Sequence, residues 1–154
     1  METIRAFIAV PLPGSLLEEL ASLQRRLKRH VPERSVRWVR PEGVHLTLKF
    51  LGDTPVDKLP QIEQALTAVA RHAPSCVFGV GGLGCFPNPR RPRVVWVGVQ
   101  EPTGRLAAAQ DAVEEVMAPL GYEPEGRGFK PHLTLGRIGR RTSREDAARA
   151  GEVV

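Results

Sequence analysis

The sequence predicts a duplicated α/β unit within one domain, and three observations carry that prediction. The tetrapeptide His-Leu-Thr-Leu occurs twice, at His45 to Leu48 and at His132 to Leu135, a little more than half the chain apart. The predicted elements run strand, helix, strand pair, helix, strand pair, helix, strand, so each half carries one copy. No segment between them is long enough to act as a linker, so residues 1–154 read as a single domain.

Ile4 to Val10 is an apolar run stopped by Pro11 and Pro13, the pattern of a buried strand. Leu16 to Leu27 carries apolar residues at helical spacing, with Ser15 as the expected N-cap. Val36 to Val39 and Val44 to Leu51 read as strands divided by a turn at Pro41-Glu42-Gly43. Thr54 is then expected to cap a helix with Pro55 at its first position, ending near Ala73 before Pro74. Cys76 to Leu83 and Arg93 to Val99 form the next strand pair, joined by an exposed loop from Cys85 to Pro92 whose prolines exclude a central strand. Leu106 to Leu120 reads as a helix stopped by Gly121, Lys130 to Ile138 as the strand with the second tetrapeptide, and Thr142 or Ser143 as the start of a short last helix.

With 42% hydrophobic and 25% charged residues, 154 residues suffice for a packed core, which excludes wholesale disorder. No apolar run approaches a membrane span and the first residues lack the pattern of a signal peptide, so a cytoplasmic protein without a membrane partner is expected. Cys76 and Cys85 are too few for a zinc framework and read as buried free thiols. The net charge of +5 favours anionic partners. Arginine-rich stretches at Arg90, Arg91 and Arg93 and at Arg137, Arg140, Arg141 and Arg144 point towards RNA without specifying it.

Side chains alternate between the faces of a strand, so each copy buries its two leucines on one face and presents one imidazole and one hydroxyl on the other. A strand needs no histidine for its stability, and a repeated one marks chemistry rather than scaffold. Two imidazoles with two hydroxyl donors suit acid and base work on an anionic centre such as a phosphodiester. Imidazoles titrate near about 6.5, so one can be protonated while the other is neutral. Two histidines without a nearby carboxylate or thiolate fall short of a zinc site, so no metal and no cofactor are expected. His30 and His72 sit in predicted last helical turns, where the helix dipole accounts for them.

The stretch from Val36 to Asp53 resembles the first motif region of the RNA 2′,3′-cyclic phosphodiesterases of the two-histidine phosphoesterase superfamily, long named 2′-5′ RNA ligases. Gly84 to Gly98 is similar to that family's central strand pair and Phe129 to Arg137 to its second motif; Arg5 to Val10 matches in character. The resemblance implies a bilobal α+β fold, with two antiparallel sheets and outer helices facing a central groove. It also implies hydrolysis of RNA 2′,3′-cyclic phosphate ends to 2′-phosphomonoesters, with His45 as proton donor to the leaving oxygen and His132 as the base that activates water. The sequence's own symmetry does not distinguish those two roles.

Thr47 and Thr134 are the expected donors to the non-bridging oxygens. Arg137 has the wrong strand parity, yet a bulge at Gly136 would turn it inward, and the resemblance implies an arginine near the phosphate. Lys49 and Lys130 share parity with the histidines and are candidates for RNA phosphates. The resemblance suggests a base-stacking aromatic near Phe50, although its parity favours core packing. Expected partners are RNA ends bearing a 2′,3′-cyclic phosphate, tRNA fragments among them, met by a monomer. Two alternatives stay open: 2′-5′ ligation by the reverse reaction, and a non-catalytic module that binds RNA ends.

Overall fold

The structure, a computed structural model, describes residues 1–154. All ten predicted elements are present: strands β1 (Thr3–Val10), β2 (Val36–Trp38), β3 (Leu46–Pro55), β4 (Gly79–Phe86), β5 (Val94–Gln100) and β6 (His132–Ile138), and helices α1 (Gly14–Lys28), α2 (Leu59–His72), α3 (Arg105–Met117) and α4 (Arg144–Val153). The strands form two antiparallel sheets, β1-β3 and β2-β6-β5-β4, in an α+β fold. The chain divides into two compact units, one made of residues 1–10, 47–79 and 100–131, the other of 11–46, 80–99 and 132–154.

The first unit holds β1, nearly all of β3, and helices α2 and α3, which pack on each other. Ile8, Leu48, Ile62, Leu106, Val113 and Met117 are its buried apolar residues. β1 is less buried than its apolar run predicts. Ile4 and Phe7 are exposed, because a two-stranded sheet leaves β1 an edge strand. Thr54 and Pro55 lie inside β3 instead of starting a helix. The Thr54 hydroxyl is fully buried, donating to the Gly52 carbonyl at 3.2 Å and accepting from the Tyr122 hydroxyl at 3.2 Å, so tertiary partners claim the group that a cap would have used. α2 begins only at Leu59, with Pro60 in its first turn, where a missing N–H costs nothing. α3 is entered through Gly104 at φ +84°. The Glu101 carboxylate accepts from the Leu106 N–H and the Thr103 hydroxyl there, and the latter bond holds its pKa below the usual range. Gly121 at φ +99° ends the 3₁₀ turn that follows α3, the stop its sequence predicts.

The second unit is the four-stranded sheet with α1 and α4. α1 buries Leu20 and Leu27, and its Gln24 amide donates to the carbonyls of Val39 at 2.7 Å and Leu135 at 2.9 Å, tying the helix to the strand that carries the second tetrapeptide. Ser15 is not the cap. α1 starts at Gly14, two residues earlier than expected, after Pro13, whose extended backbone ends the preceding segment without a side-chain bond. Ser143 does cap α4, accepting from the Asp146 N–H at 3.1 Å. β4 runs three residues further than predicted, to Phe86, so the exposed loop begins at Pro87, and Pro92 within it is buried. Cys85 is buried, which raises its thiol pKa, whereas Cys76 is only half-buried. His72 is the last residue of α2, and His30 lies just beyond α1.

Candidate active site

The second tetrapeptide opens β6, which is an interior strand with β2 on one side and β5 on the other. Leu133 pairs with Val97 and both are buried, which defines the core face; Thr134 pairs with Trp96 on the opposite face, with His132 two residues before it. The ladder then shifts. Trp96 pairs with Thr134 but Val95 pairs with Gly136, so β6 fits one more residue than β5 into that step. Leu135 and Gly136 consequently both lie on the core side, and Arg137, paired with Val94, returns to the face of His132 and Thr134. A Cβ on Gly136 would stand 2.6 Å from Val36 Cγ1, so the bulge tolerates glycine only. The bulge that Gly136 foreshadows is therefore present, and it reverses the parity of Arg137.

The first tetrapeptide is built differently at its start. A 3₁₀ turn at Pro41–Gly43 leads through buried Val44 to His45, which precedes β3 rather than lying within the predicted strand from Val44. From His45 to Leu51 the burial order is half-buried, buried, half-buried, buried, buried, exposed, half-buried, and His132 to Ile138 repeats it without a difference. The duplication thus extends past the tetrapeptide into the break in alternation, where Lys49 corresponds to Gly136 and Phe50 to Arg137.

That break corrects two expectations. Lys49 does not face a substrate: it is 4% exposed, and its ammonium donates to the Glu114 carboxylate at 3.0 and 3.1 Å and to the Glu123 carbonyl at 2.7 Å. Phe50 is not core. It is 62% exposed, its ring 6.2 Å from that of Phe7. Lys130 lies two residues before β6 and is exposed, so strand parity does not govern it.

Two neighbours of His132 escape a reading of the sequence. Phe86 meets the imidazole edge-on at 4.9 Å between ring centres, and Trp96 lies 5.0 Å from Phe86 and 6.2 Å from His132. The Trp96 indole lies across Gly84, where a Cβ would come within 2.2 Å of it, and its buried Nε1–H meets no acceptor. A glycine inside a strand is the one sequence signal for such an approach. Arg37 on β2 pairs directly with Arg137. No three His, Cys, Asp or Glu side chains gather in a way that would hold a metal ion.

The family of LigT like phosphoesterases matches this chain over residues 10–96 and 97–152. The chain belongs to it. Among relatives of the LigT-like phosphoesterases, an RNA 2′,3′-cyclic phosphodiesterase of Methanothermobacter thermautotrophicus is 38% identical over 135 residues, covering 88% of this chain and 71% of that protein. The TT0787 protein of Thermus thermophilus superposes with a TM-score of 0.72 at 32% identity, over 91% of this chain and 77% of that one. E. coli LigT complexed with 3′-AMP gives 0.69 at 28% identity, over 92% and 78%. The LigT-like fold is duplicated, in keeping with the repeated burial order of the two motif segments.

Proposed function

We propose that this protein hydrolyses 2′,3′-cyclic phosphate ends of RNA to 2′-phosphomonoesters, with His45 and His132 as its acid and base. The observation that carries this reading is the pair of identical tetrapeptides in identical burial environments, each offering one half-buried imidazole and one half-buried hydroxyl. The names of the curated relatives supply the substrate class. His132 takes a proton from water as the water oxygen bonds to phosphorus; the bond from phosphorus to O3′ breaks, and His45 gives its proton to O3′. Thr47 and Thr134 hydroxyls donate to the non-bridging oxygens, whose charge grows in the pentacoordinate state, and Arg137 supplies a cation there. Chemistry by this route assigns no step to a metal.

Residues 1–154 act as one functional domain in this scheme, because the two tetrapeptides supply the acid and the base of a single reaction. It places the protein in the cytoplasm, as a monomer acting on RNA ends such as tRNA fragments. No helix is long and apolar enough to cross a membrane.

The test is turnover of an oligoribonucleotide ending in a 2′,3′-cyclic phosphate. His45→Ala and His132→Ala should each abolish most turnover with circular dichroism unchanged, and the double variant should lose little more, since the two act as a unit. The wild-type rate should survive a chelator and follow a bell-shaped pH profile. The product should resist a 3′-specific phosphatase. Near wild-type turnover by either folded single variant would remove that histidine from the mechanism.

A further inference from the structure

We infer that Arg37, directly opposite Arg137 across the β2–β6 ladder, is a second anion site that binds the internucleotide phosphate next to the cyclic end of an RNA strand. This rests on the catalytic reading of His132 and Thr134, and it adds a ligand group that the tetrapeptides do not address. Directly opposed residues of an antiparallel pair share a face, and Arg37 pairs with Arg137. Arg137 shares the face of Val94, Trp96 and Thr134 through the shifted register. The neighbours of Arg37 on β2 agree: Val36 is buried on the core side, where its Cγ1 is the atom a Gly136 Cβ would strike. Both guanidinium groups therefore project on the face of the second tetrapeptide.

Two like charges directly opposed across a ladder weaken a sheet. Here nothing offsets them. Both arginines are exposed, and the ion pairs of the chain join other residues: Arg5 with Asp53, Lys49 with Glu114 and Arg149 with Glu145. Two unmatched forked donors are the arrangement that two successive phosphates would neutralise, since each guanidinium can give two parallel bonds to phosphate oxygens. With Arg137 serving the reacting phosphate, Arg37 is placed for the next one. Arg37 lies one strand further out, roughly 5 Å, a step that its long side chain extends to the adjoining phosphate of an extended strand.

Two substrates separate this subsite from the catalytic one. A mononucleoside 2′,3′-cyclic phosphate carries the reacting phosphate alone, whereas a short oligoribonucleotide with the same end carries internucleotide phosphates as well. Arg37→Gln should raise KM for the oligonucleotide roughly tenfold, the scale of one lost charged hydrogen-bond contact, and leave the mononucleotide kinetics and kcat unchanged. It should reduce the slope of oligonucleotide affinity against salt by about 0.7, the share of one phosphate on a single strand. Arg37→Lys should recover part of the loss. The melting temperature should hold or rise, because one of two facing like charges is gone. Equal losses on both substrates, or no change with the oligonucleotide, would overturn the proposal. Fluorescence anisotropy with an oligonucleotide ending in a 2′-phosphate reads the subsite without turnover. Weaker binding by Arg37→Gln in a protein that hydrolyses neither substrate would sink the catalytic reading and sustain the subsite; equal binding by the two proteins would sink the subsite.

Discussion

Replacing Gly84 with alanine drives a methyl carbon into the Trp96 indole, and through it disturbs His132. The added Cβ would lie 2.2 Å from Cζ2, 2.3 Å from Cη2 and 2.8 Å from Cε2. Carbon atoms rest at about 3.5 to 4.0 Å, so the indole must retreat by more than about 1 Å. It has little room to do so, packed 5.0 Å from Phe86, which itself meets His132 at 4.9 Å. Overpacking of this kind costs about 1–3 kcal/mol. For a chain of this size each kcal/mol lowers the melting temperature by about 2–4 °C. A reacting group displaced by about 1 Å can lose about a hundredfold in rate, so kcat should fall by up to that factor in protein that is still folded. Thermal melts and turnover of the cyclic-phosphate oligonucleotide measure the two effects separately. Trp96→Ala removes the obstacle, so the Gly84→Ala cost should shrink in that background by a coupling of about 0.5–3 kcal/mol. A Gly84→Ala protein that melts and turns over like wild type, or a cycle with no coupling, would refute the proposed contact between indole, phenyl and imidazole.

Lys49→Met should cost about 3–5 kcal/mol in urea unfolding, because it leaves the Glu114 carboxylate without its counter-charge, and Lys49→Met with Glu114→Leu should recover most of that loss. If Lys49→Met instead cut turnover with no loss of stability, the lysine would be acting on substrate. For the thiols, burial raises the Cys85 pKa, so at a given pH less of it is thiolate than of an ordinary cysteine. Mass spectrometry after brief iodoacetamide treatment should find Cys76 modified first, and Cys85 only as pH rises above the ordinary thiol range; equal labelling near pH 8 would contradict its burial.

Patterns confined to a few consecutive residues were the legible part of this chain. Proline and glycine punctuation places the elements, and the alternation of Leu46 and Leu48 or Leu133 and Leu135 with half-buried His and Thr is visible in the tetrapeptides themselves. What strict alternation misses begins one residue later. Leu48 and Lys49 are buried in succession, and the partner that makes a buried lysine tolerable, Glu114, comes from 65 residues away. Phe50 reads as core because strict alternation gives it the parity of Leu46 and Leu48, yet the second buried residue in succession, Lys49, turns it outward. Phe86 and Trp96 belong beside His132 only through the order and register of β4, β5 and β6, which no local pattern encodes.

The doubled core-side position after each tetrapeptide also means that the two halves are not exchangeable parts. In β6 that slot is satisfied by having no side chain at all, since Val36, Trp38 and the Arg37 carbonyl fill the space around Gly136. In β3 the equivalent slot takes the longest aliphatic stem available and ends it on an acid supplied by α3. Grafting the first motif's lysine into β6 would force an ammonium group among Val36 and Trp38 with no carboxylate to receive it, and grafting the glycine into β3 would strand Glu114. Each copy is keyed to its own surroundings by a single residue, so neither segment can stand in for the other, and the likeness between the two motifs ends at the residue that follows each tetrapeptide.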